Sequence, residues 1–224
     1  GTLVGAMNGV SGAVAIGKSA LAALTTGARN LGIGYQALQS ITQGDSNVAI
    51  GYQALYAMAA TDGNDSNTAI GTYSMQAAGS GSNVAANNTT VGFQSGYAIT
   101  TGDNNVAVGS NALVAVNTGT GNVALGSGAL DGTDDGGYNV AIGYGVLSAN
   151  CGDGSVAIGS LAGSVYTGDQ LIAIGQNAAK ILTGTGNTAV GYTAMNDLVD
   201  GARNTAIGYN AFGGTFADTT ADGS

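Results

Sequence analysis

The sequence lacks the residue types on which most enzyme active sites depend. Its 224 residues include no histidine, proline, tryptophan or glutamate, and Cys151 is the single cysteine. A Ser-His-Asp triad, a Cys-His pair and a His/Cys zinc site therefore cannot be built from this chain. We expect no catalytic residues, no bound cofactor and no metal site, and we expect that the protein is not an enzyme.

Charge is also scarce, and most of it has one sign. Charged residues make up 8% of the chain, and 13 Asp against four Lys or Arg give a formal net charge of −9. Nucleic-acid binding requires clustered cations, so we expect no nucleic-acid partner. No apolar run reaches about 18 residues, so we expect no transmembrane segment. A hydrophobic fraction of 44% argues against a disordered chain.

One phrase recurs along the chain: Asn, then Val or Thr, then Ala, an aliphatic residue and Gly. Its successive glycines are separated by 16 or 17 residues, except for two longer intervals of 20 and 21. A period this short suits one coil of a β-solenoid and is too short for a helical hairpin or a propeller blade. The twelve anchor glycines are Gly17, Gly34, Gly51, Gly71, Gly92, Gly109, Gly126, Gly143, Gly159, Gly175, Gly191 and Gly208.

The columns of the repeat suggest which residues lie inside. The residue before each anchor glycine is aliphatic in all twelve copies, and we expect this column, including Ile50, Ile142 and Ile207, to fill the interior. Ala or Leu/Met three and four residues after the glycine would come from a second strand of the coil. The opposite strand face carries Ala in ten copies, which is unusual for a solvated face. We interpret it as the contact with a partner chain, at Ala49, Ala69, Ala107, Ala141 and Ala206.

Two polar columns have structural interpretations. Asn lies four residues before the anchor glycine in nine copies, and stacked Asn side chains form hydrogen-bonded ladders. A second glycine lies seven residues before the anchor in nine copies, including Gly27, Gly102 and Gly119. We expect it to occupy a tight turn with positive φ.

The phrase, as in Asn47-Val48-Ala49-Ile50-Gly51, resembles the head repeat of trimeric autotransporter adhesins. The Tyr after the glycine, as in Gly51-Tyr52-Gln53-Ala54-Leu55, is similar to related repeats of bacteriophage tail fibres. The resemblance covers roughly residues 10–213. It implies an all-β, left-handed parallel β-roll of about twelve coils and a homotrimer.

The expected organisation is a repeat domain over residues 1–213, followed by a polar tail or further coil over 214–224. The resemblance implies a structural and adhesive segment of a phage tail fibre, located in the virion. Its partners would be itself, other fibre or baseplate proteins, and a glycan or protein receptor on the host. The alternatives are the head of a bacterial surface adhesin and, more remotely, a polysaccharide-degrading spike.

Three sets of side chains are candidates for binding. Most Asp residues lie in turns, as at Asp45, Asp103 and Asp153, and the Asp clusters within residues 62–65 and 131–135 either form turns or bind calcium. The surplus residues of the two long coils, near 57–64 and 77–86, either drift neutrally or form a binding loop. An aromatic column after the anchor glycine either packs as a ladder or stacks on sugars; it comprises Tyr35, Tyr52, Phe93, Tyr144, Tyr192 and Tyr209.

Overall fold

The chain forms a parallel β-solenoid, as predicted. In the computed structural model, the described residues are 10–57, 63–77, 84–133 and 135–213. Within these ranges there are twelve strands of three residues and no helix. The strands are β1 (Val14–Ile16), β2 (Leu31–Ile33), β3 (Val48–Ile50), β4 (Thr68–Ile70), β5 (Thr89–Val91), β6 (Val106–Val108), β7 (Val123–Leu125), β8 (Val140–Ile142), β9 (Val156–Ile158), β10 (Ile172–Ile174), β11 (Thr188–Val190) and β12 (Thr205–Ile207).

The strands stack in sequence order into one parallel sheet, so each coil of the chain adds one strand. Equivalent repeat positions lie opposite each other; Val140 pairs with Val156 and Ile142 with Ile158. At the usual spacing of about 4.8 Å, twelve coils give a rod of roughly 55 Å. Residues 1–9 of the expected repeat domain and the expected tail at 214–224 lie outside the described residues. So does most of the surplus in the two long coils.

Within the described ranges each coil contains one strand, and the prediction of a second strand was wrong. The residues after the anchor glycine form turns, and the second and fourth of them have positive φ in every coil, as at Gln53 (52°) and Leu55 (50°). The chain therefore bends back by left-handed residues instead of a second extended segment. Ala54 and Leu55, on this turn, are completely buried.

The anchor glycine is required for two independent reasons. Gly126 has φ of 136°, a region that side-chain-bearing residues rarely adopt, and a Cβ there would lie 2.3 Å from the carbonyl oxygen of Gly143. Its N–H donates to the carbonyl of Val108 at 2.8 Å, which continues the sheet past the strand end. Close stacking of successive coils therefore depends on the missing side chain.

The predicted inner and outer faces of the strand are reversed. The middle residue of the strand is buried, and Ala49, Ala107 and Ala141 have no exposed surface. The aliphatic residue before the glycine points outward; Ile207 is 71% exposed, while Ile50 and Ile142 are partly exposed. The interior is therefore built from strand Ala and turn Leu or Met.

Limited space explains this reversal. Gly32 replaces Ala in the middle of β2, and a Cβ there would already lie 3.2 Å from Cγ of Leu21. In β5 the larger Thr90 takes the Ala position, and the turn residue facing it is Gly96 instead of Leu. A Cβ on Gly96 would lie 2.6 Å from the Thr90 methyl carbon. Beside each strand, the thin interior thus has room for a larger side chain from the strand or from the facing turn position, but not from both.

The predicted asparagine ladder is present and fully buried. Oδ1 of Asn105 accepts a hydrogen bond from the backbone N–H of Asn122 at 2.9 Å, and Nδ2 of Asn122 donates to the Gly136 carbonyl at 2.9 Å. The ladder changes at β9 and β10, where Ser155 and then Leu171 occupy the Asn position. Oγ of Ser155 still accepts from the Leu171 N–H, at 3.1 Å, but the Leu171 side chain offers no acceptor to the next coil.

The second glycine of the repeat does not have the expected positive φ. Gly27, Gly102 and Gly119 all lie outside the left-handed region. A Cβ on Gly102 would instead lie 2.3 Å from the carbonyl oxygen of Gly119 in the next coil. This column is glycine because neighbouring backbones approach closely, and not because the turn needs an unusual conformation.

Candidate interaction surfaces

The outward side of the sheet is an uncharged aliphatic surface that runs along every described coil. It consists of the first and third residues of β1–β12, which we name the aliphatic face. All twelve third residues are Ile, Val or Leu, and the first residues are aliphatic except for four Thr. Val14 and Ile16 are 46% and 56% exposed. A continuous exposed apolar patch of this kind is typical of an interaction surface.

The alanines predicted to contact a partner lie inside their own chain. Ala49, Ala69, Ala107 and Ala141 are completely buried, and Ala206 is 5% exposed. They belong to the hydrophobic core together with turn residues such as Leu147. A partner chain cannot reach these side chains, so any contact along the sheet involves the aliphatic face instead.

Aromatic side chains form a row on the turn that follows the aliphatic face. We name Tyr35, Tyr52, Tyr73 and Phe93 the aromatic row. The rings of Tyr35 and Tyr52 stack with centroids 5.2 Å apart and an interplanar angle of 13°. Tyr73 meets Tyr52 at 5.3 Å and 88°, and it meets Phe93 at 6.2 Å and 70°. Neighbours partly desolvate Tyr52 and raise the pKa of its phenol, and its interactions with Tyr73 and Tyr35 raise it further.

The six aromatic candidates from the sequence do not form one continuous surface. Tyr35, Tyr52 and Phe93 belong to the aromatic row, while Tyr192 and Tyr209 form a separate stacked pair, 5.5 Å apart at 9°. Tyr144 is 64% exposed and has Ser127 and Ser160 at the equivalent positions of the adjacent coils. The candidates therefore fall into three groups along the rod.

Sequence analysis missed two components of this surface. Tyr73 completes the aromatic row from the second position after the glycine, whereas the other rings occupy the first. An amide chain also runs beside the row: Nε2 of Gln53 donates to Oε1 of Gln36 at 2.6 Å, and Nε2 of Gln76 donates to Oε1 of Gln53 at 2.9 Å. The signal available in the sequence was the clustering of Gln and Tyr within residues 35–97.

The turn aspartates accept hydrogen bonds from the backbone of the preceding coil. Oδ1 of Asp45 accepts from the N–H of Ala28 at 2.7 Å, and Oδ1 of Asp103 accepts from Ala86 at 2.7 Å. Oδ1 of Asp153 likewise accepts a hydrogen bond from the N–H of Gly137 at 2.7 Å. Among the described residues, no group of three or more acidic, His or Cys side chains could hold a metal ion. These observations support the turn-forming interpretation of the column.

Two further titratable groups, Cys151 and Tyr166, lie inside the rod. Cys151 is buried, its Sγ is 3.3 Å from Oγ1 of Thr133, and burial raises the pKa of its thiol. Burial likewise raises the pKa of Tyr166, whose hydroxyl donates to the Asp169 carbonyl at 2.6 Å. The structure contains no pocket among its described residues. Within that same part of the chain, no helix is long and apolar enough to span a membrane.

Comparison with known proteins adds no assignment. No protein-family model, no curated protein and no solved structure matches this chain.

Proposed function

We propose that the chain is a structural and adhesive fibre segment whose copies associate through the aliphatic face into a homotrimer. The supporting observation is the aliphatic face itself, which is continuous, uncharged and partly exposed over twelve coils. A partner must be straight, apolar and equally long in order to cover this surface. A second copy of the same chain has these properties, and closed symmetric assemblies are the usual result of self-association.

Three chains, rather than two, follow from the resemblance to trimeric adhesin heads and phage tail fibres. In this proposal the rod is a tail-fibre segment in the virion, connected to other fibre or baseplate proteins, and its outer turns meet a receptor on the host. In the alternative, the rod is the head of a bacterial adhesin and is displayed on the cell surface. A mechanical role suits a shape in which every coil hydrogen-bonds to the next.

The proposal is tested by placing a cation on the aliphatic face. Ile142→Arg would bury an unpaired charge between copies, at a cost of several kcal/mol. Gln170→Arg is the matched control, because Arg29 and Arg203 occupy the equivalent position in other coils. We expect size-exclusion chromatography to show loss of the assembled species for Ile142→Arg alone. Wild-type elution and melting temperature for Ile142→Arg would contradict the proposal.

A further inference from the structure

Aromatic and amide side chains are concentrated on one turn of four consecutive coils, those of β2–β5. The aromatic row and the chain of Gln36, Gln53 and Gln76 both lie there, and Tyr56 and Tyr97 follow on the same turns. Of the seven later coils, three carry Tyr at the first position after the glycine, but none combines an aromatic ring with a glutamine on this turn. Packing of the solenoid does not require this enrichment, because the later coils form the same turns without it.

The aromatic row presents ring surface to solvent. Tyr35, Tyr52 and Phe93 are 39%, 43% and 48% exposed. The Tyr35–Tyr52 contact is face to face, whereas Tyr73 meets both of its ring neighbours at steep angles. In an edge-to-face contact, the edge of one ring covers the face of the other, so at most one face is covered. The row is therefore not a continuous parallel stack, and ring faces remain available to a ligand.

The described turn residues that carry the row offer polar groups but no acidic side chain. None of residues 35–39, 52–56, 72–76 and 93–97 is Asp or Glu, although the chain contains 13 Asp. The hydrogen-bonding groups are amides, hydroxyls and, at one end, Lys18, whose Nζ lies 5.9 Å from the centre of the Tyr35 ring. Such a surface suits a ligand that is uncharged, rich in hydroxyls and apolar on its ring faces.

We infer that the aromatic row and its glutamine chain bind a neutral, extended glycan that lies along the rod axis. A sugar ring offers C–H groups to an aromatic face and hydroxyls to amides, and a linear glycan repeats both along its length. The solenoid repeats its side chains in the same direction, one coil after another. The inference rests on the attachment role in the proposed function and assigns that role to coils β2–β5.

Multivalency would compensate for a weak single site. A shallow row of rings, with no enclosing pocket among the described residues, provides modest affinity. Three copies around one axis would present three parallel rows, and linked sites raise effective concentration without new contacts.

Isothermal titration calorimetry with defined sugars tests the inference. The probes are linear hexasaccharides of glucose, galactose, mannose and N-acetylglucosamine, with an anionic hyaluronan hexasaccharide for comparison. The test variant is Tyr35→Ser with Tyr52→Ser, since Ser110 and Ser127 show that Ser fits this column. The control is Tyr192→Ser with Tyr209→Ser, which removes an equally stacked pair whose coils carry Thr193 and Asn210 in place of Gln36 and Gln53.

We expect at least one neutral hexasaccharide to bind and the test variant to weaken it about tenfold, with the control near wild type. Absence of binding to every neutral probe would overturn the inference. Binding of hyaluronan alone, or equal loss in both variants, would also overturn it. Size-exclusion elution of each variant is measured in parallel, so a failed assembly, which concerns the proposed function, is distinguished from a failed glycan site.

Discussion

At the scale of single residues, the position of alanine determines how the coil is filled. The strand supplies Ala to the interior, as at Ala141, and the turn supplies a buried Leu such as Leu147. Where the strand residue is larger, as at Thr90, the turn residue is reduced to Gly96. The interior therefore obeys a volume limit that applies to the pair and not to either position alone.

Substitutions within β8 test which face of the strand is buried. Ala141→Val adds volume to the filled interior and should destabilise the protein by about 1–3 kcal/mol. Val140→Leu enlarges an outward position at which Leu31 is already found, and it should change stability little. Urea unfolding of both variants measures the difference. A more stable Ala141→Val than Val140→Leu would mean that the faces are assigned incorrectly.

The strand positions and their spacing could be predicted from the sequence, but the direction of each face could not. Alternation shows that Ala141 and Ile142 lie on opposite faces, yet it does not say which face is inside. The usual preference for burying Ile gave the wrong answer, because the turn Leu or Met already fills the space beside the inward strand position. Likewise, the row of Tyr35 and Tyr52 could be anticipated, whereas Tyr73 joins it from a different repeat position.

At the scale of the strand and its coil, the asparagine ladder is interrupted at β9 and β10 and resumes at Asn187. From Asn30 to Asn139 the side-chain acceptor is present in every coil. At Leu171 it is lost, and Gly163 makes room for the buried Leu171 and Tyr166 side chains. The coils around β10 therefore replace a buried polar ladder with apolar packing.

Amide hydrogen exchange should reveal this change in the ladder. A satisfied buried hydrogen bond contributes about 0.5–1.5 kcal/mol, so coils without the Asn acceptor should open more readily. We expect amides of β10 and β11 to exchange faster than those of β6 and β7, as measured by mass spectrometry of protease fragments. Slower exchange in β10 and β11 would show that the apolar packing around Tyr166 outweighs the lost ladder.

At the scale of the whole molecule, the fold separates apolar surface from charge. The aliphatic face occupies the sheet, while turn aspartates such as Asp45 and Asp153 lie on another side of the coil and accept backbone hydrogen bonds. Copies could thus associate along the sheet without bringing these carboxylates into an apolar contact. A net charge of −9 on each chain still opposes association through long-range repulsion, which salt screens.

The mass of the wild-type protein in solution tests the proposed assembly most directly. Sedimentation equilibrium at moderate salt measures it independently of shape, which matters for a rod. If copies cover one another's aliphatic face around a three-fold axis, the mass is three times 21.5 kDa across the concentration range. A folded species of 21.5 kDa at every concentration would show that the aliphatic face is stable in water and would contradict the account.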